Sequence, residues 1–192
     1  MKLTRSLLLA TAFALGRIAT ASAAVETYVI DSVHSSVGFS IRHFVSKVPG
    51  SFTKFSGAIV VDRDNLEHSS VEATIDVGSV STANEKRDAH LKTPDFFDAA
   101  KFGSMNFKSK AWKKTGADAF DVTGDLTIHG VTKTVVLKVK LLGFGPGMMG
   151  AKLSGWEATT TLLRSDFGIT GFPGMLGDDV AVNIAIEAGL KR

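Results

Sequence analysis

Residues 120–128 carry the sequence FDVTGDLTI, in which apolar and polar side chains alternate. Every even position from Phe120 to Ile128 is apolar or glycine, and every odd position is an aspartate or a threonine. Successive side chains of a β-strand point to opposite faces, so this pattern predicts a strand with one face on a core and the other in water. The same alternation recurs at residues 71–77 and 180–188. The sequence therefore predicts a protein built from antiparallel strands.

The segments around these three strands carry similar signals. Six further strand candidates raise the predicted total to about eight or nine, namely residues 26–30, 37–41, 55–61, 105–112, 131–142 and 153–163. His129-Gly130 separates two strong candidates and predicts a tight hairpin, because glycine readily adopts the positive φ that such turns need. Pro49-Gly50 and Lys114-Thr115-Gly116 predict further connections between strands.

Residues 79–102 interrupt the strand pattern near the middle of the chain. Residues 84–88 form a charged run that predicts a solvated helix, and residues 94–98 predict a second short helical turn. The sequence shows no internal repeat, no linker and no shift in composition. These features predict one all-β domain with a short helical excursion, most naturally a closed or nearly closed barrel of about eight antiparallel strands.

Residues 1–23 have the layout of a secretory signal peptide. They combine two early basic residues, a short apolar stretch at residues 7–15 and an Ala-Ser-Ala cleavage site at residues 21–23. The alternative is that this segment is an amphipathic N-terminal helix of the folded domain. We expect the segment to be removed on export and residues 24–192 to form the mature domain.

The formal charge of +3 comes from the same N-terminal segment. Without Lys2, Arg5 and Arg17, the number of Lys and Arg residues falls from 22 to 19, which equals the number of Asp and Glu residues. Nucleic-acid binding depends on an excess of basic side chains that face phosphates, so this balance argues against a nucleic-acid partner. The absence of cysteine excludes disulfides, thiol catalysis and cysteine-ligated metals.

Two kinds of exported barrel fit the strand pattern. An outer-membrane barrel is apolar outside and polar within, with aromatic girdles at both interfaces. Here the polar faces carry rows of Lys, Asp and Glu, and the chain has only 1 Tyr and 2 Trp from which to build girdles. The sequence therefore favours a soluble barrel with an apolar interior. Small barrels of this kind are either filled by side chains or hold one small ligand.

No residue pattern points to catalysis or to a metal. The five histidines lack the spacing of metal-binding motifs, so neither a metal nor another cofactor is predicted. Ser35 and Ser36 lie beside His34, but without a Gly-x-Ser-x-Gly elbow their hydroxyls are better explained by backbone bonding at a strand start. The carboxylates Asp88, Asp95 and Asp98 could pair for acid–base catalysis, but they are better explained as solvated charges at helix ends. We predict that the protein is not an enzyme.

Several of the 13 phenylalanines could line a ligand cavity or fill a core. The candidates are Phe52, Phe55, Phe96, Phe97, Phe102 and Phe107. Two loops rich in glycine and methionine, at residues 143–150 and 171–177, could form an adaptable portal for an apolar ligand or be poorly ordered hairpin tips. From the sequence alone, both pairs of alternatives stay open.

Ordered sequence blocks in this chain resemble those of the YceI-like family of exported lipid-binding proteins. The resemblance covers essentially all of residues 24–192. It rests on Asp31-x-x-His34-Ser35-x-Val37-x-Phe39-x-Ile41-x-His43-Phe44, Gly50-x-Phe52-x-x-Phe55-x-Gly57, Asn84-x-x-Arg87-Asp88-x-His90-Leu91, Phe96-Phe97-Asp98, the run from Gly124 to Lys133, and Arg164-x-Asp166-Phe167-Gly168-Ile169. Several blocks in a fixed order form a more specific signal than any single motif.

The resemblance implies a lipocalin-like antiparallel barrel whose elongated apolar pocket holds a polyisoprenoid or similar long-chain amphiphilic lipid. It also implies a periplasmic protein with no shared catalytic reaction and no cofactor. Such a protein would bind, carry or sequester the lipid, with transient membrane contact as a further interaction. The alternatives are an exported enzyme acting on an isoprenoid lipid, in one form metal-assisted, and a ligand-free stress or interaction module. A homodimer stays open.

A lipid of this kind needs a dry tube for its tail and a few polar groups at one end for its head. The predicted tail contacts are Phe39, Ile41, Phe52, Phe55, Phe97 and Phe107. The predicted head contacts, in some subset, are His34, Arg42, His43, Asn84, Arg87 and Asp88. Arg87 is the preferred contact for an anionic head, because a guanidinium donates in a fork to phosphate oxygens.

Overall fold

The computed structural model describes residues 25–191, so the predicted signal segment, residues 1–23, lies outside the described residues. The described chain contains eleven strands and one α-helix. The strands are β1 (Glu26–Ile30), β2 (Ser36–His43), β3 (Ser46–Phe52), β4 (Phe55–Val61), β5 (Ser70–Asp76), β6 (Val80–Ser81), β7 (Ser104–Lys114), β8 (Ala119–Ile128), β9 (Val131–Pro146), β10 (Lys152–Leu163) and β11 (Leu176–Leu190). The helix α1 spans Glu85–Leu91, and 3-10 turns span Leu66–His68, Val77–Ser79, Met148–Gly150 and Arg164–Phe167. None of the helices in this range is long and apolar enough to cross a membrane.

Eight strands close an antiparallel barrel in the order β1-β4-β5-β7-β8-β9-β10-β11, and the ring closes where β1 pairs with β11. The quoted strand, residues 120–128, lies in this ring as part of β8, and its Val122 is fully buried. The predicted architecture, a single all-β barrel of eight antiparallel strands with a helical excursion, is confirmed.

The long strand β11 joins the barrel to a smaller extension. Residues 176–185 of β11 pair with β2, and residues 188–190 pair with β1. β2 pairs with β3, and β3 pairs with β6 over two residues. Because α1 follows β6 closely in the chain, this extension holds the helix beside one end of the barrel.

The connection between β2 and β3 differs from the predicted one. The chain turns at Phe44 and Val45, where Phe44 has a φ of 47°, and Pro49-Gly50 lies inside β3. The prediction of a turn at Pro49-Gly50 was therefore wrong. Proline is tolerated in a strand near a sheet edge. The glycine at position 50 lets the Phe39 ring pack directly on the β3 backbone, in the space that a Cβ would take.

The predicted hairpin at His129-Gly130 is confirmed. The two residues have positive φ angles of 52° and 76°, as a tight turn between β8 and β9 needs. Position 130 also excludes larger residues, because a Cβ there would collide with the Phe102 ring.

The predicted helical excursion is also confirmed. The N-terminus of α1 is capped by Asn84, whose side-chain oxygen accepts a hydrogen bond from the Arg87 backbone N–H at 3.0 Å. A turn follows the helix, in which the Asp98 N–H donates to the Thr93 carbonyl at 2.9 Å.

The buried apolar side chains form two clusters, one toward each end of the barrel. The closed-end cluster comprises Tyr28, Ile59, Val61, Trp112, Phe120, Val122, Val139, Trp156 and Ala188. The helix-end cluster comprises Val37, Phe52, Val77, Val80, Phe96, Met105, Ile128, Phe167 and Ile169. β8 connects the two, since Phe120 belongs to the first cluster and Ile128 to the second.

Candidate functional site

A cavity of about 490 Å³ occupies the inside of the barrel. Its wall includes Trp112 and Trp156 of the closed-end cluster and Phe52 of the helix-end cluster, so it extends along the barrel. Ile184, which lines the cavity from β11, is only partly buried. In a close-packed interior such a residue would be fully buried, so the barrel is hollow.

The mouth of the cavity is marked by the four lining residues that are also exposed to solvent, Arg87, His90, Phe172 and Met175. The His90 ring lies edge-on to Phe96 and Phe172, with centroids 5.1 and 5.5 Å away. Its Nε2 is 3.0 Å from a carboxylate oxygen of Asp95. Helix α1 and residues 171–177, which are distant in sequence, therefore meet at the mouth.

The six residues predicted as tail contacts all line this cavity, namely Phe39, Ile41, Phe52, Phe55, Phe97 and Phe107. Phe96 lines the cavity as well. Phe102 is not among the lining residues, and its ring packs against His129 at 4.6 Å near the β8–β9 hairpin. All of these side chains except Phe102 therefore border the cavity. That a lipid tail contacts them stays a prediction.

Two of the six residues predicted as head contacts, His43 and Arg87, line the cavity. Arg87 is held in place by Thr82: its Nε donates to the hydroxyl oxygen at 2.7 Å, and its Nη2 donates to the carbonyl at 2.8 Å. Asp88 does not border the cavity and accepts hydrogen bonds from the N–H and the hydroxyl of the same Thr82, at 2.8 and 2.5 Å. Thr82, which directly follows β6 of the extension, thus fixes α1 beside that strand and orients Arg87.

The remaining predicted head contacts, His34, Arg42 and Asn84, lie outside the cavity lining. Asn84 caps α1, and Arg42 Nη1 donates to the Phe44 carbonyl at 3.1 Å. His34 lies in the corner between β1 and β2. Each of the three thus has a partner in the fold, and a role in head-group binding stays a prediction for them.

Among the described residues, the side chains of Asp31, His34 and Glu187 form one group whose geometry could hold a metal ion. His34 Nδ1 is 2.8 Å from Asp31 Oδ2 and 3.8 Å from Glu187 Oε1. The hydrogen bond between His34 and Asp31 lowers the pKa of the Asp31 carboxyl and raises the pKa of the His34 imidazole. Because Nδ1 is already hydrogen-bonded, an ion pair that fixes the corner explains this group without a metal.

Arg164 was not predicted as a site residue, but it is a buried cation on the cavity wall with 9% of its surface exposed. Its Nε donates to the Gly177 carbonyl at 2.9 Å, and its Nη1 donates to the carbonyls of Ile169 and Gly171 at 3.0 and 2.7 Å. The block Arg164-x-Asp166-Phe167-Gly168-Ile169 contained the residue, but nothing local in it signals that the arginine is buried.

The two tryptophans of the chain were also missed as cavity residues. Trp112 and Trp156 are 6% and 3% exposed, line the cavity and meet edge-to-face with ring centroids 5.6 Å apart. Neither indole Nε1 has a hydrogen-bond partner among the described residues. The two-residue alternation of β10 could have predicted that Trp156 lines the cavity. It lies an even number of residues from Ala158 and Leu162, so all three side chains point to the inner face of the strand.

Only the second of the two glycine-rich loops lies at the cavity. Phe172 and Met175 of that loop line the mouth. The first loop, residues 143–150, lies at the closed end, where the Phe144 ring is 5.9 Å from Trp156. Its two methionines are exposed and do not line the cavity. The first loop therefore does not form the portal.

The sequence matches known proteins over the whole of this barrel. A sequence profile of the YceI-like domain matches residues 28–188. "Protein YceI" of Salmonella arizonae is 39% identical over 171 residues, which cover 88% of this chain and 89% of that protein.

Solved structures share the same fold. The crystal structure of BcnA from Burkholderia cenocepacia matches with a TM-score of 0.77 and 26% identity, covering 83% of this chain and 99% of that one. A polyisoprenoid binding domain from Saccharophagus degradans matches with a TM-score of 0.66 and 13% identity, covering 88% and 100%. Because the profile spans the barrel from β1 to β11 and encloses every cavity-lining residue, the chain belongs to the YceI-like family.

Proposed function

We propose that this protein binds a polyisoprenoid or a similar long-chain amphiphilic lipid, with its tail toward Trp112 and Trp156 and its head toward the mouth. The observation that carries the proposal is the cavity of about 490 Å³ inside the barrel. Ligand pockets typically measure about 300–1,000 Å³ and carry few polar groups. Of the 41 lining residues in the described chain, six are polar, namely His43, Thr82, Arg87, His90, Thr160 and Arg164.

A long apolar tail suits this wall for a physical reason. Each CH₂ group moved out of water contributes about 0.8 kcal/mol, so the tail needs no polar contact along its length. The rings that border an empty space also lack dispersion contacts on that side, and a lipid tail supplies them. Polar groups at one end are then enough to orient the head.

The comparisons support a ligand of this class. The Saccharophagus degradans domain is described as polyisoprenoid-binding, and its fold is shared by this chain. We propose that the present protein acts as a binding protein in the periplasm, carrying or sequestering its lipid, and is not an enzyme. Export would require cleavage after residue 23. N-terminal sequencing of periplasmic material should therefore give a start near Ala24, and a chain that retains Met1 would contradict the export proposal.

Lipid exchange would require transient contact between the mouth and a membrane. The turn residues Phe44 and Val45 are both exposed, and the Phe44 N–H donates to the Met175 carbonyl at 2.9 Å. Since Met175 lines the mouth, two exposed apolar side chains stand beside the opening. Such an apolar group at an opening is suited to a lipid surface.

The chain's two tryptophans provide the test. Both line the cavity, so a tail that reaches the closed end changes the environment of every tryptophan in the protein. Delipidated full-length mature protein would be titrated with geranylgeraniol while tryptophan emission is recorded, with calorimetry in parallel. We expect a saturable emission change at one lipid per chain. No emission change together with no heat of binding would contradict the proposal.

Native mass spectrometry of protein purified from its own cell envelope would identify the natural ligand. A bound long-chain lipid supports the proposal. A bound metal ion with turnover of an isoprenoid lipid would instead favour the enzyme alternative. A chain that carries no lipid and takes none up in the titration would favour the ligand-free module.

A further inference from the structure

The charged residues in the cavity wall are all positive. Arg87 and Arg164 line it, and no aspartate or glutamate occurs among the described lining residues. The other polar lining residues are His43, Thr82, His90 and Thr160, and none of them is acidic. The mostly apolar wall therefore carries two cations and no carboxylate of its own, which favours an anion inside the cavity.

Arg164 is the more deeply placed of the two cations. It is buried, whereas Arg87 is exposed at the mouth. Three backbone carbonyls accept hydrogen bonds from its Nε and Nη1. Its Nη2 group, which can donate two more hydrogen bonds, makes none with a described residue.

Asp166, two residues along the chain from Arg164, and Asp178, whose pKa the charge of Arg164 affects, both have other partners. Asp166 lies 3.9 Å from Lys133 Nζ. Asp178 accepts hydrogen bonds from the Ser165 N–H and hydroxyl at 3.0 and 2.6 Å. These two bonds are the main reason that the pKa of the Asp178 carboxyl is lowered, and the charge of Arg164 contributes least. Arg164 is therefore a buried cation without a direct counterion.

Burying a cation is unfavourable unless a negative group and sufficient acceptors compensate it. Backbone carbonyls satisfy three of the donors of Arg164 but carry no net charge. A guanidinium with unused donors on an apolar wall binds a phosphate or carboxylate strongly, because charge-assisted hydrogen bonds strengthen where water is excluded.

We propose that Arg164 binds the anionic head, a phosphate or a carboxylate, of an amphiphile whose tail fills the cavity. This inference rests on the proposed lipid-binding function and adds the charge of the head group. Arg87 provides a second, more exposed cation at the mouth. The head would then lie inside the barrel beneath residues 171–177, whose Gly171 carbonyl is already bonded to Arg164.

The first experiment compares two ligands that differ only in the head. Wild-type protein would be titrated with farnesyl phosphate and with farnesol, using tryptophan emission as the readout. We expect farnesyl phosphate to bind about tenfold more tightly or better, as a charge-assisted hydrogen bond in a water-poor site allows. Equal affinities would overturn the anion proposal while leaving lipid binding intact. Binding of neither ligand would overturn both proposals.

The second experiment assigns the preference to a residue. Arg164→Gln should reduce the preference for the phosphate to near unity, and Arg164→Lys should keep part of it. Lys133→Gln is the matched control, because it removes one exposed positive charge that faces the same 3-10 turn from outside. Melting temperatures report folding, and if Arg164→Gln does not fold, the comparison uses Arg164→Lys. A folded Arg164 variant that keeps the full wild-type preference would overturn the role of Arg164.

A third arm separates a lipid head from free phosphate. Inorganic phosphate would be added to the farnesyl phosphate complex of the wild-type protein. We expect displacement only at concentrations far above that of the lipid, because the tail supplies most of the binding free energy. Displacement at equal concentrations would identify a site for free phosphate and overturn the assignment to an amphiphile.

Discussion

The two ends of the barrel are filled in different ways. At the closed end, the Trp112 ring packs against the rings of Phe120 and Trp156, and Phe120 is only 1% exposed. At the helix end, α1 and residues 171–177 cover the opening with the partly exposed side chains of the mouth. The same strands run through both ends, so the difference arises from side chains and connections, not from the sheet.

This contrast shows how one barrel combines stability with access. Dense aromatic packing at the closed end excludes water and resists change. The helix end is covered by short elements that follow strands β6 and β10, and these elements lie outside the eight-strand ring of the barrel. Changes at the two ends should therefore affect different properties of the protein.

The largest expected effect comes from replacing a phenylalanine by alanine, once at each end of the barrel. Phe120→Ala should lower the free energy of unfolding by about 3–5 kcal/mol, because it leaves a hole in a packed cluster. Phe39→Ala should cost less than half of that, since Phe39 already borders open space on one side. Urea denaturation followed by circular dichroism measures both. Equal losses would show that the helix end is as tightly filled as the closed end.

The second expected effect comes from filling the space between the two ends. Ala158 lines the cavity, and its neighbour Thr159 on the same strand is exposed. Ala158→Phe should weaken geranylgeraniol binding by about tenfold or more, because the ring takes the volume of the tail. Thr159→Phe should leave binding unchanged. If both variants bind as the wild type does, the tail does not occupy this part of the barrel.

A smaller effect is expected at the cap of α1. Asn84→Ala should lower the free energy of unfolding by about 1 kcal/mol through loss of the N-cap hydrogen bond. Asn84→Asp keeps an acceptor at the N-cap and should recover most of the loss. Neither change should alter the preference between farnesyl phosphate and farnesol. A changed preference would place Asn84 among the head-group contacts, as predicted from the sequence.

The smallest expected effect lies at the corner of Asp31 and His34, which joins β1 of the barrel to β2 of the extension. The raised pKa of His34 stabilises the fold below about pH 6.5, and this contribution is lost as the pH rises through the raised value. The lowered pKa of Asp31 stabilises the fold above about pH 3.8, and this contribution is lost as the pH falls through the lowered value. The pair therefore contributes most between those two pH values.

His34→Gln should accordingly lower the melting temperature most near pH 5 and least near pH 9. His68→Gln is a suitable comparison, because His68 is an exposed histidine whose ring lies farther, at 3.5 Å, from its carboxylate partner Asp62. A melting difference for His34→Gln that is the same at both pH values would show that the corner is held by packing alone.

Much of the fold could be predicted because its signal is local. Alternation located the strands around residues 71–77, 120–128 and 180–188, and the positive φ required at Gly130 located a hairpin. β3 was missed because its residues, from Ser46 to Phe52, do not alternate and contain a proline and a glycine. Its strand conformation depends on pairing with β2.

The site was predictable to a lesser degree. The residues predicted as tail contacts lie on the cavity wall because inward-facing positions follow from alternation once a barrel forms. Among the residues predicted as head contacts, Arg87 and His43 line the cavity, whereas Arg164, which also lines it, was not predicted. Arg164 is buried by carbonyls of residues 169–177 that fold back over it, and no short-range pattern reports such a contact.

The sequence by itself determined which side chains face inward, because the two-residue period of a strand depends only on neighbouring positions. Only the tertiary structure decided that the inward face encloses a space. Whether a barrel is full or hollow depends on how widely the ring closes, and that closure is made where Tyr28 pairs with Leu190, near opposite ends of the described chain. The volume inside is then a property of all eight strands together, and no single segment carries it.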